Sequence, residues 1–201
     1  MNYLVQQTAI FSAWHTSIRD LRARIAIARR IERAFAGNLG DIKSVGDGVC
    51  EMRVDVGAGY RVYFTMRKTV IIILLAGGDK SSQNADIKRA KKNGKGGLTM
   101  SQTLTIFDMA TLLDSDEAIS EYLSQVLADG DNEEFLRAIG YVVKARGMTQ
   151  VAKDSGMGRE SLYKAFAPGA KPRFHTVLKV IHALGIDLYA QPGHVINHSN
   201  P

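Results

Sequence analysis

The hydrophobic positions near the start of the chain recur at helical spacing. Thr8 stands where it can cap a first helix that carries Trp14 on its apolar side, and a second helix follows Asp20. The apolar stripe of the second helix consists of Leu21, Ile25, Ala28, Ile31 and Phe35. With a strand candidate over residues 3–6 ahead of them, these two helices predict the beginning of a mixed domain.

After residue 46 the hydrophobic period changes to two. Apolar and polar side chains alternate over 49–56 and 60–67, on either side of Gly57-Ala58-Gly59, and a continuous apolar run over 70–75 follows. This pattern predicts a meander of three antiparallel strands. With a three-residue turn, the predicted pairs are Val56 with Tyr60, Asp55 with Arg61, and Arg53 with Tyr63.

That register separates the two faces of the predicted sheet. The large apolar residues share one face, under the two helices, and a polar set shares the other. The polar face carries Arg53, Asp55, Arg61, Tyr63 and Arg67, with Lys80 after the third strand. Gly77-Gly78 is interpreted as part of a loop that leads into a basic helix through Lys92. The predicted fold class of residues 1–93 is α+β, with two N-terminal helices on an antiparallel sheet.

Residues from 100 onward have only helical patterns, which predicts an all-α domain. Ser115 opens one helix, and further helices are predicted over 132–146 and 174–184. Between them, two short helices over 149–156 and 159–166 are joined at Gly156. A small residue, a glycine turn and apolar anchors at this spacing are typical of a helix-turn-helix.

The outward positions of this predicted motif suit DNA. Arginine matches guanine edges, whereas lysine, serine, tyrosine and a capping glutamine amide suit phosphates. The candidate DNA-binding residues are Gln150, Arg159, Glu160, Ser161, Tyr163 and Lys164. A plain pair of antiparallel helices with a solvated face is the alternative.

Glycine and lysine residues separate the two predicted domains. The chain divides into residues 1–93, a linker over 94–99, and residues 100–201, whose last residues from 193 onward form a tail. No apolar run approaches the roughly 18 residues that a membrane span needs. Cys50 is the only cysteine of the chain, which excludes a disulfide framework and a cysteine-based metal site. We expect a cytoplasmic protein with no membrane partner, no metal and no cofactor.

Charge is distributed unevenly along the chain. Residues 1–99 hold 17 basic and 8 acidic side chains, a net charge of +9, whereas residues 100–134 hold 9 acidic side chains and no basic one. Residues 135–201 hold 9 basic and 3 acidic side chains, a net +6. Basic segments indicate polyanion partners. The acidic segment is either a solvated helix surface or a segment that docks on the basic half and neutralises it.

Two sets of residues follow from this charge pattern. Phe107 begins an apolar anchor for docking, which continues with Met109 and 112–113. The acidic candidates for neutralisation are Asp108, Asp114, Asp116 and Glu117. On the second helix, the non-apolar side is either a solvated face or a surface for ribosomal RNA, and it carries Arg22, Arg24, Arg29, Arg30 and Arg33.

Both halves resemble families whose members are encoded side by side. The run "MTQVAKDSGMGRESLYKAF" resembles the helix-turn-helix of HigA-type antitoxins, which are lambda-repressor-like (XRE-type) proteins. The segments "GYRVYF" and "GGDKSSQNADIKRAKK" resemble HigB-type toxins of the RelE superfamily. These resemblances identify the chain as a type II toxin–antitoxin pair in one polypeptide.

The resemblance implies an activity for each half. Residues 1–93 would be a ribosome-dependent mRNA endoribonuclease, in which a 2′-hydroxyl attacks the adjacent phosphate without a metal. Residues 100–134 would neutralise it, within or between chains, and residues 135–192 would bind operator DNA as a homodimer and repress transcription. The catalytic candidates carried over are Arg53, Arg61 and Lys80, and Tyr63 joins them because the predicted register places it on the same face. The RNA-binding candidates are Lys43, Arg67, Lys88 and Lys91.

The chain also departs from this family's pattern. No histidine occurs between His15 and His175, which excludes a histidine acid or base from the predicted polar face. General acid and base are therefore unassigned, with Asp79 and Lys80 as candidates, and Asp79 could equally cap the following helix. The alternative function is a non-enzymatic DNA-binding regulator whose N-terminal domain binds RNA or protein.

Overall fold

The helical and alternating patterns become helices and strands in the part of the chain that the computed structural model describes, which is residues 3–68, 71–95 and 103–190. The strands in these ranges are β1 Leu4–Thr8, β2 Ile42–Gly46, β3 Val49–Val54, β4 Tyr60–Arg67, β5 Ile71–Gly78 and β6 Leu104–Ile106. The helices are α1 Ala9–Ser17, α2 Leu21–Phe35, α3 Gln83–Lys95, α4 Asp116–Asp129, α5 Asn132–Arg146, α6 Met148–Ser155, α7 Arg159–Ala165 and α8 Phe174–Ala183. No helix within these ranges is both long and apolar enough to cross a membrane.

Side-chain caps set the predicted helix starts. Thr8 accepts a hydrogen bond from the backbone N–H of Phe11, and Asp20 does the same for Ala23 at the start of α2. Ser115 caps α4 in the same way. Each cap satisfies a backbone donor that the first turn of a helix leaves without a partner, so all three predicted starts are confirmed.

The sheet has six strands in the order β2-β3-β4-β5-β1-β6. The β3–β4–β5 meander is antiparallel, as predicted, but β1 pairs in parallel with β5, so the sheet as a whole is mixed. The sequence prediction missed β2 and β6, which are the two edges. The α+β fold class, followed by helices, is confirmed.

Helices cover both faces of the sheet. Phe11 of α1 and Ile27 and Ile31 of α2 pack with Val62 and Phe64 on one face. On the other face, α3 packs with its buried Ala90 in a second apolar cluster, whose other buried members are Val49, Tyr63, Ile73, Leu75 and Ala76. The face predicted to be polar is therefore partly covered by α3, while Arg53, at the end near the β3–β4 loop, stays exposed.

The predicted pairing of β3 and β4 was wrong by two residues. Val54 lies opposite Tyr60, and Arg53 lies opposite Arg61, because the connection is two residues longer than a three-residue turn. A shift of two keeps each side chain on its original face, since the side-chain period of a strand is two. Arg53 and Arg61 therefore share a face, as predicted.

Gly77 and Gly78 lie at the end of β5 and not in a loop, which corrects their interpretation. A Cβ at Gly77 would lie 2.1 Å from the ring of Trp14, and a Cβ at Gly78 would lie 1.8 Å from a carboxylate oxygen of Asp86. Both glycines are thus required by close approach of side chains.

The compact units divide the chain at a different place from the predicted linker. One unit is Met1–Ala145 and the other is Arg146–Pro201. The predicted domain of residues 1–93 lies in the first unit together with β6, which pairs with β1, and with α4 and most of α5. Of the predicted linker, Gly94 and Lys95 belong to α3 and residues 96–99 lie outside the described residues, as does the predicted tail.

The second unit contains the predicted helix-turn-helix. Helix α6 ends at Gly156, which adopts a left-handed conformation with φ of 64°, and α7 begins at Arg159. Leu162 of α7 and Val177 of α8 are buried with Ala152. The predicted helix–turn–helix arrangement is confirmed.

Candidate functional site

A cleft of about 400 Å³ opens at the loop between β3 and β4. Its lining brings together three of the predicted catalytic residues, Arg53, Arg61 and Lys80, although Lys80 is separated from Arg61 by 19 residues of sequence. The remaining lining residues are Asp55, Val56, Gly57, Ala58, Gly59 and Tyr60. Three cations and one carboxylate, Asp55, around one open cleft give it a net positive charge, which suits an anionic group such as a phosphate.

The cross-strand pair of Arg53 and Arg61 forms the floor of this cleft. The Arg61 side chain is 12% exposed and its Nη1 donates to the carbonyl of Gly59 at 3.0 Å. The Arg53 side chain is 44% exposed. Two like charges directly opposite each other on neighbouring strands repel, so this pair needs a counter-charge.

Glu51 supplies that counter-charge, and the sequence analysis missed it. Its side chain is fully buried and accepts a hydrogen bond from Arg53 Nε at 3.3 Å. Arg61 Nε lies 3.5 Å from the other carboxylate oxygen, which also accepts from Tyr63 Oη at 3.3 Å and from Gln83 Nε2 at 2.8 Å. The alternation of β3 places Glu51 on the same face as Arg53, and this spacing alone could have indicated that Glu51 lies beside the arginines.

Tyr63 does not line the cleft, although it was a catalytic candidate. Its side chain has no exposed surface and its hydroxyl donates to Glu51. Burial, together with the negative charge of Glu51, raises the pKa of Tyr63 well above its ordinary value. The hydroxyl therefore keeps its proton and donates it in the hydrogen bond to Glu51. The prediction of an exposed Tyr63 was wrong because α3 packs over the face of the sheet on which Tyr63 lies.

Lys80 and Asp79 follow β5 in a tight turn. Asp79 accepts hydrogen bonds from the backbone N–H and the hydroxyl of Ser81 and from the N–H of Ser82. Hydrogen bonds from Ser81 lower the pKa of Asp79. Of the two readings of Asp79, the geometry matches the cap of the following turn, and Lys80 is left exposed at the cleft.

The four RNA-binding candidates lie on the surface around the sheet. Lys43 is exposed on β2, opposite Glu51 in the register, and Arg67 is exposed at the end of β4. Lys88 is exposed on α3, and Lys91 is partly buried with its Nζ 3.5 Å from Asp47. The cleft lining contains none of these four residues.

A second cluster of charges joins α2 to α4 and α5. Arg29 Nε and Arg33 Nε donate to the buried carboxylate of Glu134 at 2.6 and 3.0 Å, and the Nη2 atoms of both donate to Asp129 at 2.6 and 3.0 Å. Arg137 Nε donates to Glu32 at 3.0 Å. Burial disfavours the charge of Arg29, but hydrogen bonds and the charge of Glu134 outweigh this and raise its pKa.

The acidic segment contacts α2 through Asp129 and Glu134, which are not among the acidic residues predicted for neutralisation. Asp108 pairs with Lys144 of α5 at 2.6 Å, whereas Asp114, Asp116 and Glu117 are exposed outside the Arg29–Arg33 cluster. The contact with Arg29 and Arg33 uses the end of α4 and the first turn of α5, whereas the predicted acidic residues lie nearer the start of the segment. For Arg29 and Arg33, neither a solvated face nor an RNA surface applies in the intact chain.

The predicted apolar anchor is confirmed. The N–H of Phe107 donates to the carbonyl of Val5 at 3.0 Å, and its ring packs against the core beside His15. Met109 and Leu113 are 2% and 3% exposed. Together with β6, which adds an edge strand beside β1, these residues seat the segment on the sheet domain.

His15 stands between this segment and the core. Its Nε2 donates to the carbonyl of Arg24 at 2.9 Å, and burial lowers its pKa below the ordinary value.

The lowered pKa of His15 predicts a pH dependence of stability. Near and below pH 6.5 the unfolded chain binds a proton at His15 that the folded chain binds only at lower pH, so the contribution of His15 to the free energy of unfolding falls as the pH falls. We expect wild type to lose more stability than His15→Gln between pH 7.5 and 5.5 in urea unfolding. Equal losses would contradict this.

The candidate DNA-binding residues are all exposed on the second unit. Arg159, Glu160, Ser161 and Lys164 lie along α7, and Tyr163 is 57% exposed. The predicted cap by Gln150 is wrong, because Gly147 occupies the N-cap of α6 and Gln150 Nε2 donates to Asp154 at 2.8 Å. The alternative of a solvated helix face is compatible with the same exposure.

Comparisons with known proteins match the second half of the chain to a family and find two relatives that are each about half as long as this chain. Residues 103–192 match the family described as "Probable addiction module antidote protein". Two uncharacterized proteins of Haemophilus influenzae are similar to this chain. One is 50% identical over 91 residues, 45% of this chain and 92% of the relative; the other is 41% identical over 92 residues, 46% of this chain and 95% of the relative. No solved structure matches the chain significantly.

Proposed function

Because residues 103–192 of the chain belong to the addiction module antidote family, and the chain is thereby part of a toxin–antitoxin system, we propose that its N-terminal part is the toxin, an mRNA endoribonuclease of the HigB type in the RelE superfamily. The observation that carries this proposal is the convergence of Arg53, Arg61 and Lys80 on one open cleft. Because an antidote acts on a toxin, the antidote family match of the second half favours a toxin as the other part of the same chain.

The three cations fit the chemistry of RNA cleavage by the 2′-hydroxyl. The 2′-hydroxyl loses its proton to solvent water, and its oxygen forms a bond to the adjacent phosphorus while the bond to the 5′-oxygen breaks, which gives a 2′,3′-cyclic phosphate and, once that oxygen is protonated, a free 5′-hydroxyl. Negative charge develops on the phosphorane oxygens, where Arg53 and Arg61 would stabilise it. Lys80, exposed at the same cleft, is the candidate to give a proton to the leaving oxygen. The carboxylate of Asp79 is instead engaged by hydrogen bonds within its own turn.

We call residues 104–145, from the described part of the antidote half that belongs to the first unit, the antidote segment. This segment would neutralise the toxin without filling the cleft. Among the described residues that line the cleft, all come from positions 53 to 80, and none comes from 104–145. The segment instead covers Arg29 and Arg33 on the opposite face of the sheet from Arg61. In the free toxin these arginines would face ribosomal RNA, so docking would block ribosome entry by charge and by bulk.

The second unit would bind operator DNA through α7 and repress transcription as a homodimer. The exposed basic and polar side chains at the start of α7 support this role. The runner-up function is a DNA-binding regulator without nuclease activity, and the same exposed surface favours it. The two accounts differ in what the N-terminal part does when the antidote part is absent.

The experiment that separates them is induction of residues 1–97 beside the full chain, in cells. We expect the fragment to arrest growth and to leave mRNA fragments with 2′,3′-cyclic phosphate ends, whereas the full chain does neither. Cleavage ends are mapped by primer extension, and the fragment's solubility and circular dichroism confirm that it is folded. A folded, harmless fragment would eliminate the nuclease and favour the DNA-binding regulator.

A further inference from the structure

Glu51 lies behind the cleft and not in it. It is fully buried at the centre of β3, and the residues that line the cleft do not include it. Four side chains are aimed at its carboxylate, those of Arg53, Arg61, Tyr63 and Gln83. A buried carboxylate with that many cationic and neutral donors is held in one orientation.

Both arginines face Glu51 through the same atom. The contacts use Nε of Arg53 and Nε of Arg61, and of the terminal nitrogens, Arg61 Nη1 donates to Gly59 while Arg53 Nη1 lies 3.9 Å from the exposed carboxylate of Asp41. The Nη2 atoms are the ones that would meet a ligand in the cleft. For Arg61, the Nε contact is an ion pair at 3.5 Å without hydrogen-bond geometry, and its Nη1 is fixed on Gly59. The orientation of Arg61 therefore depends on the charge of Glu51.

The strand register explains why such a group is needed. Arg53 and Arg61 are directly opposite each other on β3 and β4, where like charges repel. Without a negative charge between them, the two guanidinium groups would turn apart into solvent. The carboxylate of Glu51, two residues before Arg53 and on the same face of β3, attracts both.

We propose that Glu51 is a positioning residue that holds Arg53 and Arg61 side by side as a single phosphate-binding pair, with Tyr63 and Gln83 fixing Glu51 from behind. This inference rests on the proposed function, because it takes the cleft to bind RNA phosphate. Glu51 touches no substrate, since it has no exposed surface. It acts only through the two arginines.

Charge alone and positioning predict opposite signs for Glu51→Gln. Removing a negative charge beside a cationic cleft would tighten RNA binding if charge alone mattered. If Glu51 positions the arginines, the same change weakens binding, by about tenfold, as for the loss of a hydrogen bond to a charged group. Glu133→Gln, at an exposed position of α5, makes the same change in net charge and serves as the matched control.

The test measures binding of a labelled single-stranded RNA with 2′-O-methyl groups, which cannot be cleaved, to the full chain by fluorescence anisotropy. Wild type, Glu51→Gln, Arg61→Ala and the double variant form a cycle. We expect Glu51→Gln and Arg61→Ala each to weaken binding about tenfold, and Arg61→Ala to add little in the Glu51→Gln background, because both remove the same pair. The control should bind as wild type or slightly tighter.

The outcomes separate this inference from the proposed function. Unchanged or tighter binding by Glu51→Gln, with weaker binding by Arg61→Ala, would overturn positioning and leave the RNA cleft in place. Equal binding by wild type and Arg61→Ala would overturn both. The thermal midpoint of each variant is measured beside binding, and Gln83→Ala, which removes one support of Glu51 near the surface, is expected to weaken binding about threefold if Glu51→Gln does not fold.

Discussion

Arg61→Ala is expected to reduce mRNA cleavage by residues 1–97 about a hundredfold or more, the size of effect seen when one preorganised donor to a developing oxyanion is removed. Arg61 is held on two sides, by the carbonyl of Gly59 and by Glu51, so its charge needs no rearrangement when the phosphorane forms. The measurement is the rate of cleavage in a purified translation system, with products resolved by primer extension.

Two further variants make the Arg61 result specific. Arg61→Lys keeps the charge but has no second nitrogen with which to contact both Gly59 and Glu51, so we expect an intermediate rate. Arg19→Ala removes an equally positive charge at an exposed position before α2, and we expect cleavage within about twofold of wild type, as for an ordinary surface substitution. If Arg61→Ala and Arg19→Ala cleave at the same rate, the cleft is not the catalytic site.

The strand period explains how much of the cleft could be predicted. Arg53 and Arg61 were placed on one face although their pairing was wrong by two residues, because a slip of two does not exchange the faces of a strand. Alternation cannot tell what lies above that face. The sequence therefore left Tyr63 in solvent and ignored Glu51, since their burial depends on where α3 packs, 20 residues and more further along the chain.

The docked segment shows a different limit of the sequence. The split of charge along the chain predicted attraction between its halves, and that part was right. Which carboxylates pair with which arginines depends on the angle at which α4 and α5 cross α2, and no spacing encodes it. The edge strands β2 and β6 were missed for a similar reason, because short edge strands gain their stability from a neighbour that lies far away in sequence.

Glu134→Ala should release the N-terminal part, the proposed toxin, within the full chain, and this is the second large effect that we expect. Glu134 is fully buried and accepts three hydrogen bonds, two from Arg29 and one from Arg33. Removing one partner of a buried ion pair costs up to about 3–5 kcal/mol, and Arg29 then stays desolvated with only the partly exposed Asp129 as its partner. The toxin part keeps its own sequence in this variant, so any gain in translation inhibition reports release.

The gain is measured by induction of the full chain with and without Glu134→Ala, with growth and amide hydrogen exchange of α2 as readouts. Asp114→Asn with Glu117→Gln is the matched control, because these two exposed carboxylates lie outside the contact with Arg29 and Arg33. We expect slower growth and faster exchange for Glu134→Ala only. Combining it with Arg61→Ala should restore growth, since the released N-terminal part then carries an inactive cleft.

A compensating pair gives the strictest form of this prediction. Replacing both partners of a buried ion pair by apolar side chains of similar size is often neutral, so Arg29→Met with Glu134→Leu should recover protection of α2 that Glu134→Ala loses. Arg33 stays near Asp129 in that variant and keeps one ionic contact. If the double variant exchanges as fast as Glu134→Ala, then the charge of Glu134, and not the packing around it, holds the antidote segment on the toxin.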